Sequence, residues 1–189
     1  MKNIKRALFL GFGVTTLFFA SCADELETKP KVELSLENLL QQDPNAAIGL
    51  LSKMYGTLAL SGPNGSGSSD IAGPDPGETA FLRGLVNLQD FTSDAMKNRW
   101  GDDGLDQLTT TSNWTANNKF FVYMYNRLCY IIPQATSLMM ALEQANVPES
   151  EQISRELRFI RAIAYYYMID CFGKGVLVNE SNYGTTDPL

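Results

Sequence analysis

Apolar residues recur at three- and four-residue intervals in several stretches of the chain. Ala47, Ile48, Leu51, Met54, Tyr55 and Leu58 keep this spacing and predict a helix over about residues 44–60. Asp43-Pro44 supplies its start, with a carboxylate to cap the first amides and a proline whose missing N–H no first turn would use. Residues 32–40 are weakly amphipathic. Phe81, Leu82, Leu85 and Leu88 predict a helix over about residues 78–88, with these four on one face. Two longer stripes follow. Phe121, Tyr125, Leu128, Ile132, Ala135, Met139 and Leu142 form the first, interrupted by Pro133, which removes a backbone hydrogen bond and predicts a kink. Ile153, Leu157, Ile160, Ala164, Tyr167 and Cys171 form the second, and Gly173 is placed to stop it. The short link over residues 146–150 makes the pair an antiparallel hairpin. Val176-Leu177-Val178 then reads as a strand or extended segment.

The segments between these elements are of two kinds. Residues 61–77 hold five Gly and three Pro with little to bury, which predicts a mobile loop. No Gly-Lys-Ser/Thr follows, so this is not a phosphate loop. Residues 90–115 are irregular, polar and aromatic, and Trp114 is expected to pack against the helix that follows.

The N-terminus has a different pattern. Lys2, Lys5 and Arg6 precede an uncharged apolar run from Ala7 to Ala20, too short to cross a core of about 30 Å but right for a secretory h-region. Ala20-Ser21-Cys22 closes it and resembles the lipobox of bacterial lipoproteins, in which the cysteine is lipidated and becomes the new N-terminus. Several acyl chains on Cys22 would anchor firmly, at about 0.8 kcal/mol per buried methylene. The acidic cluster Asp24-Glu25-Glu27 resembles a surface-export signal of some Gram-negative lipoproteins, and reads equally well as a solvated tether. The expected organisation is a signal peptide over 1–21, a lipidated N-terminus and tether over 22–43, and a helical domain over 44–189.

Charge and composition narrow the chemistry. The formal charge is −6, and loss of the three bases in residues 1–21 takes it to −9. No basic patch exists, which argues against nucleic acid. Histidine is absent, so Ser-His-Asp and Cys-His catalysis and His-containing zinc sites cannot be built. Of the three cysteines, Cys129 and Cys171 remain after lipidation. An antiparallel hairpin turning near Pro148 offsets them by about 7–8 Å along the axis, beyond disulfide reach, so they are expected as free, buried thiols. No cofactor or metal is implied. Asp102, Asp103 and Asp106 lack the order and the terminal Glu of a calcium loop.

Arg155-Glu156-Leu157-Arg158-Phe159-Ile160-Arg161-Ala162, continued by Tyr165-Tyr166-Tyr167-Met168 and Phe172-Gly173-Lys174-Gly175-Val176-Leu177, resembles the signature helix of the SusD/RagB family. Gly175 and the lack of a proline after Val176 depart from its pattern. Tyr55, Leu88 with Thr92-Ser93-Asp94, and Trp114 resemble the family's N-terminal half. The resemblance implies a mainly α fold of antiparallel, tetratricopeptide-like helix pairs with long polar and aromatic loops. It also implies a non-enzymatic lipoprotein of the outer membrane, facing the exterior, that binds oligosaccharides or other nutrients and passes them to a TonB-dependent transporter. Family members run to more than twice this length, so a domain truncated at its C-terminus is expected.

Sugar recognition needs a stacking ring beside planar or charged hydrogen-bonding groups on loops of a rigid scaffold. Asn98-Arg99-Trp100-Gly101-Asp102-Asp103 has that composition, and its place resembles the family's sugar-binding cluster; Arg99, Trp100, Asp102 and Asp103 are the candidate contacts. Packing of Trp100 beneath the loop is the competing reading. Arg158, Arg161, Tyr165 and Gly173 are read as structural, the arginines pairing with carboxylates or stacking between helices. Two rival functions are a helical-repeat adaptor that docks on the transporter without a ligand, and a glycosidase using Asp94 and Asp102, whose spacing does not demand it.

Lipidation is tested by Cys22→Ala. The variant is expected to lack lipid and leave the membrane fraction; retention there would rule out the anchor.

Overall fold

Ser35 sets the first helix by accepting the Asn38 amide on its hydroxyl at 3.2 Å. The computed structural model describes residues 34–73, 75–98, 104–109 and 113–185. Helix α1 (Leu36–Gln42) buries Leu40 completely, so the compact unit begins at Ser35, within the stretch expected as tether up to residue 43. Helix α2 (Ala46–Gly56) follows directly. Asp43 Oδ1 accepts the Asn45 amide at 3.0 Å across Pro44, but regular helix starts two residues later than the Asp-Pro pair predicts, with Asn45 at the N-cap. Regular α2 ends short of residue 60, and single turns continue to Leu60. Ala47, Leu51 and Met54 are buried, whereas Ile48 and Tyr55 of the same stripe are exposed.

The stretch expected as one helix over 78–88 is three joined pieces. Pro76–Thr79 is a 3-10 turn, Phe81–Leu85 is a short helix, α3, and Val86–Asp90 is a π turn. The inward face also differs in part. Gly84 and Asn87 are buried beside Phe81; Leu85 and Leu88 pack against the core as expected, and Leu82 is 55% exposed. Met124 packs where a Gly84 side chain would be, so α3 approaches its neighbour through that position. In the region expected to be irregular, α4 (Leu105–Thr109) buries Leu105 and Leu108 against Phe120 and Tyr123.

Helices α5 (Lys119–Ala145) and α6 (Ser150–Phe172) dominate the unit. They are antiparallel, as the ring of Tyr125 near the start of α5 meets Phe172 at the end of α6, with centroids 5.3 Å apart. Asn146 and Glu149 take left-handed backbone conformations in the link. Helix α5 continues through Pro133 as one element. It packs against α1, α2, α3 and α6, which explains why its buried face is wider than one stripe. Leu128, Ile132, Ala135, Met139 and Leu142 are buried as expected, joined by Met124, Ile131, Leu138 and Ala141, while Phe121 and Tyr125 are only half-buried. On α6, Ile153, Leu157, Ile160, Ala164 and Met168 face the core. Phe159, Tyr166 and Ile169 form a second, exposed stripe. The fold is mainly α, with antiparallel helix pairs in tetratricopeptide-like packing, and no strand occurs among the described residues. Val176-Leu177-Val178, expected as a strand or extended segment, has no regular secondary structure.

Residues 61–79 are tied down rather than loose. Arg127, fully buried on α5, donates from Nη2 to the Ser61 carbonyl at 2.6 Å and from Nε to the Thr79 carbonyl at 2.9 Å. Its Nη1 meets Asp70 Oδ2 at 3.1 Å. Both ends and the middle of the glycine-rich segment thus converge on one guanidinium. The Ser69 and Thr79 hydroxyls, 2.6 Å apart, add a further link. Sequence composition reports how little this segment can bury; it does not report a polar side chain 48 to 66 residues away that satisfies its backbone.

Arg127→Met should cost about 3–5 kcal/mol in a denaturant melt, because Asp70 and two carbonyls lose their partner in a site with little water. Limited proteolysis should then cut within residues 61–79 first. Stability within 1 kcal/mol of wild type would show that the guanidinium is dispensable.

Candidate functional site

The signature helix turns much of its polar chemistry onto its own chain. Arg161 Nη1 donates to Thr136 Oγ1 on α5 at 2.9 Å, and its Nη2 lies 3.1 Å from Glu180 Oε1. Tyr165 Oη donates to the Val178 carbonyl at 2.9 Å and accepts the Val178 amide at 2.6 Å. One phenol thereby replaces the strand partner that residues 176–178 would otherwise need. Gly173 ends α6 at φ 74°, a conformation that suits a residue without Cβ, and its amide reaches the Ile169 carbonyl at 2.8 Å. Gly175 lies so close to Met168 that any side chain there would collide with its Cγ and Sδ. Arg158 is exposed and lines a polar cleft of about 310 Å³ with Glu143, Glu151 and Glu180. Burial pushes the Glu180 carboxyl up, but hydrogen bonds from the backbone and Arg161, with the charges of Arg161 and Arg158, outweigh it and hold the group below its ordinary value. Arg161, Tyr165 and Gly173 are therefore seated as a staple between α6 and the returning chain, while Arg158 acts there only through its charge on Glu180.

The three consecutive tyrosines diverge. Tyr165 holds Val178, Tyr166 is 63% exposed, and Tyr167 meets Phe81 edge-on at 5.5 Å. Across the bundle, Tyr55 donates to Glu156 Oε2 at 2.9 Å, and this bond raises the phenol's pKa.

Cys22, Arg99, Trp100, Asp102 and Asp103 lie outside the described residues. The frame on either side of residues 99–103 is well defined. Asn98 Nδ2 donates to Asp106 Oδ1 at 3.2 Å. Asn118 caps α5 by accepting the Phe120 amide at 3.0 Å, while its Nδ2 donates to the Gly104 carbonyl at 2.9 Å. One asparagine thus fixes both the start of α5 and the exit of the loop. Asp94 is exposed in a turn. No group of side chains suited to hold a metal ion occurs among the described residues.

A cleft of about 280 Å³ opens where the π turn meets the C-terminal end of α6. Trp114 and Phe121 form its aromatic side, edge to face at 6.4 Å. Trp114 packs on α5 as expected, yet remains half-exposed. Opposite, Gln89 Nε2 donates to Asp170 Oδ2 at 2.6 Å, fixing an exposed carboxylate at the rim. Thr92 spends its hydroxyl on the Leu88 carbonyl at 2.6 Å. The arrangement offers a ring face and an anchored acceptor in one concavity. Sequence reading had no signal for Gln89 and Asp170, which stand 81 residues apart.

Both Cys129 and Cys171 are free, as the axial offset predicts, but half-buried rather than buried. Burial pushes the Cys171 thiol up to about 11, and the nearby Asp170 carboxylate adds to the shift. Little thiolate forms near neutral pH, so Cys171 is a poor nucleophile in the folded protein.

Tyr165→Phe keeps the ring but removes both bonds to Val178. The expected loss is about 1–3 kcal/mol, with faster hydrogen exchange at the Val178 amide and none at Leu157. Unchanged exchange at Val178 would show that the phenol is not what holds the segment.

No family model matches the chain. Among curated proteins it is similar to Starch-binding protein SusD of Bacteroides thetaiotaomicron, with 31% identity over 167 residues. The match covers 87% of this chain and 28% of that protein, so the chain spans little more than a quarter of its relative's length. With the helical hairpin, the Arg161–Tyr165–Gly173 staple and this match taken together, the chain belongs to the SusD/RagB family.

Proposed function

We propose that this chain is part of an outer-membrane lipoprotein that binds glycans and passes them to a TonB-dependent transporter. The observation that carries the reading is the similarity to a protein named for starch binding, which extends over 87% of the chain. The lipobox at Cys22 supports attachment to the membrane by lipid, with residues 1–21 removed, and the acidic residues that follow fit display on the exterior. The function is binding rather than catalysis. The relative is named as a binding protein, and the sequence has no histidine to serve as a base near neutral pH.

In this reading Arg99, Trp100, Asp102 and Asp103 form the sugar platform. The frame supports such a role, since Asn98, Asp106 and Asn118 hold both ends of the loop to α4 and α5. A loop of that kind can present a ring and a guanidinium without the scaffold having to reorganise on binding. The rival is an adaptor that docks on the transporter and has no ligand of its own.

Titration calorimetry with neutral oligosaccharides, α-glucans first, separates the two. Trp100→Ala should weaken binding by roughly 1–3 kcal/mol, by analogy with the contribution of aromatic stacking to base recognition. Its melting temperature should stay close to that of wild type. Equal affinity together with a large drop in melting temperature would make Trp100 structural and favour the adaptor.

A further inference from the structure

We propose that the cleft between the π turn and the end of α6 is a second sugar subsite, selective for a neutral pyranose over an acidic one. The inference rests on the glycan-binding reading but concerns a different place, built only from described residues. A pyranose has an apolar C–H face and a rim of hydroxyls. The cleft offers one partner for each: the half-exposed Trp114 indole, steadied edge-on by Phe121, and the Asp170 carboxylate. Gln89 occupies one carboxylate oxygen at 2.6 Å, which fixes the group in place and leaves the second oxygen to accept from a sugar hydroxyl. A volume of about 280 Å³ suits one ring rather than an extended chain.

Charge sets the selectivity. Asp170 is the ionisable side chain in the cleft wall, and Cys171 beside it stays protonated near neutral pH. Among the described residues, no arginine or lysine lines the cleft to receive a uronate carboxylate. Two carboxylates would face each other at close range in a concave, partly apolar setting, where their repulsion is only partly screened.

The test uses the full chain in detergent carrying Trp100→Phe, which leaves Trp114 as the single indole of the two. Maltotriose should give a saturable change in Trp114 emission, and trigalacturonate should bind at least tenfold more weakly. Asp170→Ala in this background should weaken maltotriose at least tenfold. Asp170→Asn, which keeps the shape and removes the charge, should bring the two trisaccharides within about threefold of each other. The subsite is overturned if Trp114 emission is indifferent to maltotriose, or if Asp170→Ala binds it as tightly as its parent. A preference for maltotriose over trigalacturonate left unchanged by Asp170→Asn would overturn the selectivity. Calorimetry on the unmodified chain distinguishes the levels: heat of binding without a Trp114 response sinks the subsite alone, whereas no heat with any neutral oligosaccharide sinks the glycan-binding reading with it.

Discussion

Arg127 brings a full positive charge to a position with no solvent exposure, and what makes this tolerable is the geometry of its partners. The guanidinium is planar, with donors directed outward, and it meets the carbonyls of Ser61 and Thr79 and the carboxylate of Asp70 in three directions. A lysine would present a point charge and could not span them. The hydrophobic packing of α5 and this polar hub fix each other. Met124, Leu128 and Ile131 on adjacent turns are buried in the core, which sets the rotation of α5 and so the direction of Arg127. In return, the hub holds residues 61–79 against the helix, which brings the 3-10 turn and then α3 into register. At the N-terminal end of α5, Asn118 performs a similar double task for the loop that leads into α4. One helix therefore organises both long connections.

The parts of the fold that were legible in the sequence are those governed by local periodicity. The α5–α6 hairpin and the Gly173 stop depend on residues close to one another in the chain. The misjudged parts depend on distant partners. The segment over 61–77 looked mobile because its stabilising group, Arg127, is a lone charged residue inside an apolar stripe. The stripe on α5 was too narrow because a helix with neighbours on four elements buries more than one face. The cleft was invisible for the same reason: Gln89 and Asp170 are ordinary polar residues until the fold places them 2.6 Å apart.

The signature motif shows why recognition of a family and recognition of a site are separate inferences. Its memorable residues are committed to holding the chain together. Arg161 bridges Thr136 and Glu180, Tyr165 satisfies both backbone groups of Val178, and Gly173 takes the left-handed turn between them. Gly175, a departure from the family's pattern, is accounted for by its contact with Met168. A motif of this kind reports the fold because the backbone geometry requires those residue types. Ligand chemistry has to be sought elsewhere, and among the described residues the open end of the hairpin is where a ring and a carboxylate line one concavity.

At that open end the local structure departs from regular helix. The Phe91 amide reaches back five residues to the Val86 carbonyl at 3.1 Å, so the π turn carries one residue more than an α-turn would. The extra residue has a cost. Asn87 is 3% exposed, and its Nδ2 has no hydrogen-bond partner among the described residues. A regular helical turn would rotate the following residues by about 100° per position and carry Gln89 away from its present direction. The wider turn instead leaves Asn87 inside and Gln89 outside, on the rim beside Asp170. An irregular turn and an unsatisfied donor at one wall of a concavity are arrangements that folding alone does not favour. Here they accompany the one contact, Gln89 to Asp170, that fixes a carboxylate opposite an aromatic face.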